Sequence, residues 1–202
     1  MFSAVRLKDI VVSLEKSTVS SSTRRLNSCR IDSIMKIQLI AGTCEIPDIE
    51  EFLRRINDIA SGYGITVQAI DADKIASEEH ILSAAEKAIR AVERNDSISK
   101  DLGMEVLLYA SGNRQIKRAL SMGIRNGKNK IVLAVVGADI PEKARSELES
   151  LVEADDVIRY TSEKRDMIVS FFDITEREIG AVGEDKIPEL VLERVALVDV
   201  WK

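Results

Sequence analysis

The chain has 202 residues, 45% of them apolar and 31% charged, with a net charge of −5 at pH 7. That length suits one domain with a sizeable core, and the acidic balance excludes a protein that coats duplex nucleic acid through charge alone. No apolar run approaches the roughly 20 residues that span a bilayer, and charges between Val5 and Leu14 break up any secretory h-region.

Residues 1–34 differ from the rest. A Ser/Thr-rich stretch, Thr18 to Thr23, precedes Arg24-Arg25 without sustained periodicity. The segment reads as a disordered leader, or as sequence upstream of a true start at Met35. Residues 35–202 then form the domain. Lys36 to Ala41 alternates polar and apolar residues as a half-buried strand does. Pro47 opens a helix with Asp48, Glu50 and Glu51 in its first turn, where the dipole favours acids. Its inner face is Ile49, Phe52, Leu53, Ile56 and Ile59, and Ser61-Gly62-Tyr63-Gly64 stops it.

Ile65 to Ile70 predicts a second strand, and Ser77 caps a long helix with Ile81, Leu82, Ala85, Ala88, Ile89 and Val92 on one side. Asn95 to Gly103 reads as a polar loop and Met104 to Ala110 as a buried strand. A helix is expected from Ser111 or Gly112 to Gly123, then a strand from Lys130 to Gly137. Pro141 starts another helix, through about Glu153, and Val157 to Tyr160 suits a short edge strand. Ser162 is placed to cap a helix containing Met167, Ile168, Phe171 and Phe172. Thr175 and Pro188 begin two more, and Ala196 to Trp201 is apolar enough to return to a sheet. The expected fold is therefore α/β: one compact domain, a mixed sheet of about five strands packed with helices.

Chemistry is sparse. Cys29 and Cys44 lack metal-ligand spacing and fit a reducing, cytoplasmic setting. His80 is the single histidine, so neither a structural metal site nor a choice of catalytic triads is supported. No phosphate-cradling glycine motif occurs. No catalytic residue, metal or cofactor is therefore assigned. Between Ser111 and Lys130 the basic residues Arg114, Lys117, Arg118, Arg125, Lys128 and Lys130 occur without any Asp or Glu, whereas Asp139 to Asp156 is strongly acidic. Such asymmetry steers a polyanion to one side.

Two segments stand out. In Tyr109-Ala110-Ser111-Gly112-Asn113-Arg114-Gln115-Ile116, small residues lead into a helix start carrying Asn, Arg and Gln. Open N–H groups and a guanidinium suit phosphate oxygens, and the amides suit exposed base edges. An ordinary capped helix is the plainer alternative. In the last helix, Ile187, Val191, Val195 and Val198 share a stripe, flanked by Leu190 and Leu197 on one side and Leu192 and Ala196 on the other. That arc is wider than one buried face needs. Deep burial in one domain, or a core and a partner together, would cover it.

These segments resemble the KEOPS subunit family that includes the human PRPK-binding protein and its archaeal and fungal counterparts. The resemblance runs over nearly the whole chain from Met35. It is carried by Glu79-His80-Ile81-Leu82-Ser83-Ala84, by Met104-Glu105-Val106-Leu107-Leu108-Tyr109-Ala110-Ser111-Gly112-Asn113-Arg114-Gln115-Ile116, and by Leu192-Glu193-Arg194-Val195-Ala196-Leu197-Val198. It implies a non-catalytic regulatory subunit of the complex that makes threonylcarbamoyladenosine in tRNA, here in an archaeal-like form. Such a subunit binds and stimulates the kinase-like ATPase PRPK, meets the rest of the complex indirectly, and helps capture the tRNA 3′ CCA end. On that basis Asn113, Arg114 and Gln115 are the leading RNA contacts, with Ser111 and Gly112 shaping the pocket. Lys117, Arg118 and Lys74 would add phosphate contacts, and His80 would stack on a base or stay structural. Leu192, Val195, Ala196 and Leu197 are the expected kinase-facing residues. Two other readings stay open: a small enzyme using His80 as acid or base, and a kinase-binding module without an RNA role, which scattered basic side chains would favour.

Overall fold

The computed structural model describes residues 35–200, so the expectations for the leader and for Trp201 lie outside the described residues. Strand β1 (Lys36–Ile46) and strand β3 (Gly127–Gly137) pair antiparallel over their full lengths, Lys36 opposite Gly137 and Ile46 opposite Gly127. Strand β2 (Thr66–Asp71) flanks β3, and the two-residue β4 (Glu153–Ala154) lies against β1 at Gly42 and Thr43. The order is β2-β3-β1-β4, with every pairing antiparallel. At the β4 contact the backbones are so close that a Cβ on Gly42 would fall 2.2 Å from the Glu153 carbonyl oxygen.

Alternation along β3 divides its side chains between two apolar clusters. Val132, Ala134 and Val136 join Ile37 in packing against α2 (Glu78–Glu93), α3 (Leu102–Ala110) and the end of α8 (Ile187–Leu197). Ile131, Leu133 and Val135 join Ile40 and Ile46 beneath α1 (Ile49–Tyr63) and α5 (Glu142–Glu149). Helices on both faces explain why β3 is apolar without interruption from Ile131 to Val136. A third cluster gathers α6 (Arg165–Phe171), α7 (Glu176–Val182) and the start of α8 around Ile168, Phe172, Ile179 and Val191. Lys164 fastens this part to the body. Its buried ammonium donates to the carbonyls of Ile75 (3.3 Å) and Val157 (2.5 Å), and burial pulls its pKa down to about 8.

The α/β class and the single domain agree with the sequence, and most caps fall where expected. Gly64 closes α1 at φ 64°, but at its start Asp48, expected inside the first turn, is the cap, its Oδ1 accepting from Glu50 N (2.9 Å) and Glu51 N (3.2 Å), so Pro47 lies just before the helix rather than at its first position. Ser77 caps α2 by accepting from His80 N at 3.1 Å. Thr175 and Glu178 form a reciprocal capping box on α7, and Pro188 lies in the first turn of α8.

Several boundaries differ. Met104 to Ala110 is helical, as α3, and among the described residues the sheet has four strands rather than about five. Val106, Leu108, Tyr109 and Ala110 are all fully buried, so the run has no polar face to reveal a helical period. The edge strand forms at Glu153–Ala154 rather than at Val157 to Tyr160, because Val157 turns into the core. Consequently α5 ends at Glu149 rather than near Glu153. Ser162 begins a three-residue 3-10 turn ahead of α6 and does not cap it. The segment from Ala196 to Val200 finishes α8 and turns instead of joining the sheet. The helix expected from Ser111 shortens to α4 (Ile116–Leu120).

The polar segment ahead of α3 is held from inside. Glu105 is 0% exposed, and its two carboxylate oxygens accept from Ile98 N (3.1 Å) and Ser99 N (2.8 Å). Glu105→Gln turns one acceptor into a donor facing an N–H. We expect it to cost about 1–3 kcal/mol in chemical denaturation, with faster amide exchange confined to residues around Ile98 and Ser99. An unchanged exchange pattern would refute this role. Among the described residues no helix is long and apolar enough to cross a membrane.

Candidate functional site

The segment singled out in the sequence is the end of α3 and the turn into α4, which begins only at Ile116. As α3 closes, Ser111 N donates to Leu107 O (2.8 Å), Gly112 N to Tyr109 O (2.9 Å) and Asn113 N to Leu108 O (3.3 Å). Ser111 Oγ donates to Leu108 O at 2.9 Å, and Gln115 N donates to Asn113 Oδ1 at 2.9 Å. These four amides are occupied and do not contribute to the expected backbone cradle for phosphate. What the turn supplies is shape. Gly112 has φ +61°, and a Cβ there would lie 2.8 Å from Arg194 Cβ. A side chain at position 112 would push α8 away.

Because α8 comes this close, a cleft of about 160 Å³ opens between the turn, α4, the end of α6 and α8. Ser111, Gly112, Asn113 and Arg118 form one side; Phe171, Phe172, Asp173 and Arg194 form the other. The Arg118 guanidinium lies 4.8 Å over the Phe171 ring, donates to the Phe171 carbonyl and meets Asp173 Oδ2 at 3.1 Å. Phe171 and Phe172 meet edge to face at 5.0 Å. Arg194 Nη2 donates to Glu178 Oε1 at 2.5 Å, which with the Thr175 bonds holds the Glu178 carboxyl down at about 2.

The arrangement joins two guanidiniums, one stacked on an aromatic ring, with the Asn113 amide, whose Nδ2 has no acceptor among the described residues. A flat cation-aromatic plate receives an unpaired base, and guanidinium N–H groups receive phosphate or carbonyl oxygens.

The sequence-selected residues divide. Ser111, Gly112, Asn113 and Arg118 line the cleft, while Arg114, Gln115 and Lys117 do not. Arg114 is half-buried with Nη1 lacking a hydrogen-bond partner, and Gln115 and Lys117 are exposed. Lys74 does not serve as an open phosphate contact. Its side chain is 14% exposed and pairs with Asp71 at 2.8 Å. His80 is 0% exposed, so it cannot stack on a base. Its Nδ1 accepts from Ala76 N (3.3 Å), its Nε2 donates to Ala110 O (2.8 Å), and its ring meets the edge of Phe172 at 5.5 Å. Burial lowers its pKa to about 4, so it is neutral and structural. With both nitrogens bonded to backbone, the acid–base reading has no geometry to work with.

On α8 the wide apolar arc is largely covered by the chain itself. Ile187, Leu190 and Val191 enter the third cluster, and Val195 and Val198 enter the cluster with α2 and α3. Val195 is 0% exposed and is a core residue, not a surface contact. Leu192 and Leu197 are half-buried and Ala196 is exposed.

Phe171, Phe172, Asp173 and Arg194 escaped sequence reasoning as site residues. The two phenylalanines looked like ordinary core, and only Arg194, a cation inside an apolar helix stripe, carried a local signal.

A relative named Regulatory protein Cgi121, from Methanocaldococcus jannaschii, is 29% identical over 152 residues, covering 73% of this chain and 93% of that protein. The family described as Kinase binding protein CGI-121 matches residues 44–199, a span that takes in every helix among the described residues, the whole cleft and most of the sheet. By that match the chain belongs to the kinase binding protein CGI-121 family.

Proposed function

We propose that this protein is a non-catalytic, cytoplasmic regulatory subunit of a KEOPS-type tRNA-modifying complex. It binds and stimulates a PRPK-type kinase subunit and offers the cleft beside Gly112 to the tRNA 3′ CCA end. The kinase part is supported by the family and by the name of the archaeal relative. The surface assigned to it is the exposed side of α8 at Leu192, Ala196 and Leu197. The RNA part is supported by one observation: Arg118 stacked on Phe171 in a small cleft that Asn113 and Arg194 also line. Stacking one base is worth about 1–3 kcal/mol, enough for an unpaired tail to contribute strongly to retention.

The test is tRNA binding by the purified protein and by its complex with the kinase subunit. Removing the terminal CCA is expected to weaken binding about tenfold or more. Arg118→Gln should reduce tail-dependent binding while kinase co-purification persists. Equal binding of intact and tail-less tRNA would defeat the RNA assignment.

A second reading, a kinase-binding module without RNA, is favoured by one fact. Of the six basic residues between Ser111 and Lys130, only Arg118 reaches the cleft, and Lys130 pairs with Asp73 at 3.4 Å. The same measurement separates the two.

A further inference from the structure

The two acids beside the cleft arginines are held very differently. Glu178 is built into the fold. Its Oε2 accepts from Thr175 N and Thr175 Oγ1, both at 2.8 Å, completing the α7 capping box while Oε1 holds Arg194. Withdrawing it would uncap a helix. Asp173 carries no such duty. Its side chain is 82% exposed, and among the described residues its partner is Arg118. Arg118, in turn, does not depend on Asp173 for its position, since it also donates to the Phe171 carbonyl and lies over the Phe171 ring.

A carboxylate on a guanidinium inside a ligand cleft occupies the place an anionic oxygen would take, because both accept the same N–H donors. We propose that Asp173 holds, in the free protein, the place on Arg118 that an RNA phosphate takes in the complex, and so limits affinity as a built-in competitor. The inference rests on reading the cleft as an RNA-end site. Exposed pairs of this geometry are weak. Exchange of carboxylate for phosphate is therefore easy in both directions, and the RNA end is released as Asp173 returns.

Asp173→Asn removes the competing charge with little structural disturbance. The residue sits at φ 51°, a left-handed conformation that Asn adopts as readily as Asp. Glu50→Gln, on α1 beyond the opposite face of the sheet, makes the same change in net charge and reports any long-range effect. Binding of tRNA with and without its CCA end would be measured for wild type and both variants, with thermal midpoints recorded alongside.

Asp173→Asn is expected to bind intact tRNA about two- to fivefold more tightly. Glu50→Gln should show at most a small gain, and neither variant should gain on tail-less tRNA in the way Asp173→Asn gains on the intact molecule. Unchanged or weaker binding by Asp173→Asn, with tail dependence intact in wild type, would overturn the competitor role and leave the RNA reading standing. An equal gain in both variants would likewise overturn it. Absence of any tail dependence in wild type would remove the RNA reading and this inference together.

Discussion

Gly112→Ala is expected to destabilise the protein by about 2–5 kcal/mol and to abolish tail-dependent RNA binding. A non-glycine residue in the left-handed region costs about 1–2 kcal/mol, and forcing atoms into a filled site adds about 1–3 kcal/mol. Both penalties apply at this position. The backbone is at φ +61°, and the new methyl would lie 2.8 Å from Arg194 Cβ and 3.3 Å from the Arg194 carbonyl carbon. Neither atom is the free end of a flexible side chain, so α8 itself must move. Urea denaturation gives the stability change, and binding of tRNA with and without CCA gives the functional one. A variant as stable as wild type would mean that the turn and α8 are not pressed together. A destabilised variant that kept its tail preference would place the RNA contact elsewhere.

The second large effect is a loss of stability in acid that belongs to His80. Its folded-state pKa, about 4, lies below the ordinary histidine value because a fully buried imidazole resists charge. The unfolded chain therefore takes up the proton first as pH falls. The stabilisation is fully present above about pH 6.5 and is lost progressively down to about pH 4, by about 3 kcal/mol at most. Unfolding free energies from pH 7.5 to 4.5 should fall more steeply for wild type than for His80→Gln. The variant will start lower, since it forfeits the ring packing against Phe172. Parallel profiles for the two proteins would show that His80 is not the group responsible.

How far the sequence could be read depended on whether the deciding force was local. Caps and prolines act within a few residues, so Ser77, Thr175 and Pro188 marked their helices correctly. The run from Met104 to Ala110 misled because complete burial erased its period, and only the Asp101 cap, accepting from Met104 N at 2.7 Å, betrays the helix locally. The same limit governs the site. Ser111 to Asn113 was legible as a special turn, but the wall facing it comes from residues roughly 60 and 80 positions further along the chain. The wide stripe on α8 left two readings open, burial in one domain or a core and a partner together, and most of it proves to bridge two clusters of the chain itself. Pattern reports that a surface is apolar, not whose atoms cover it.

The meeting of β4 with β1 has a bearing on solubility. An eleven-residue strand at the border of a sheet is a template on which extended segments of other chains can assemble. Here a two-residue strand lies across its middle, pressed against a glycine that leaves no gap. An intruder running alongside β1 would meet this barrier and find only short stretches free on either side. Enlarging Gly42 would lift the barrier, and self-association of the variant at high concentration is the consequence to look for.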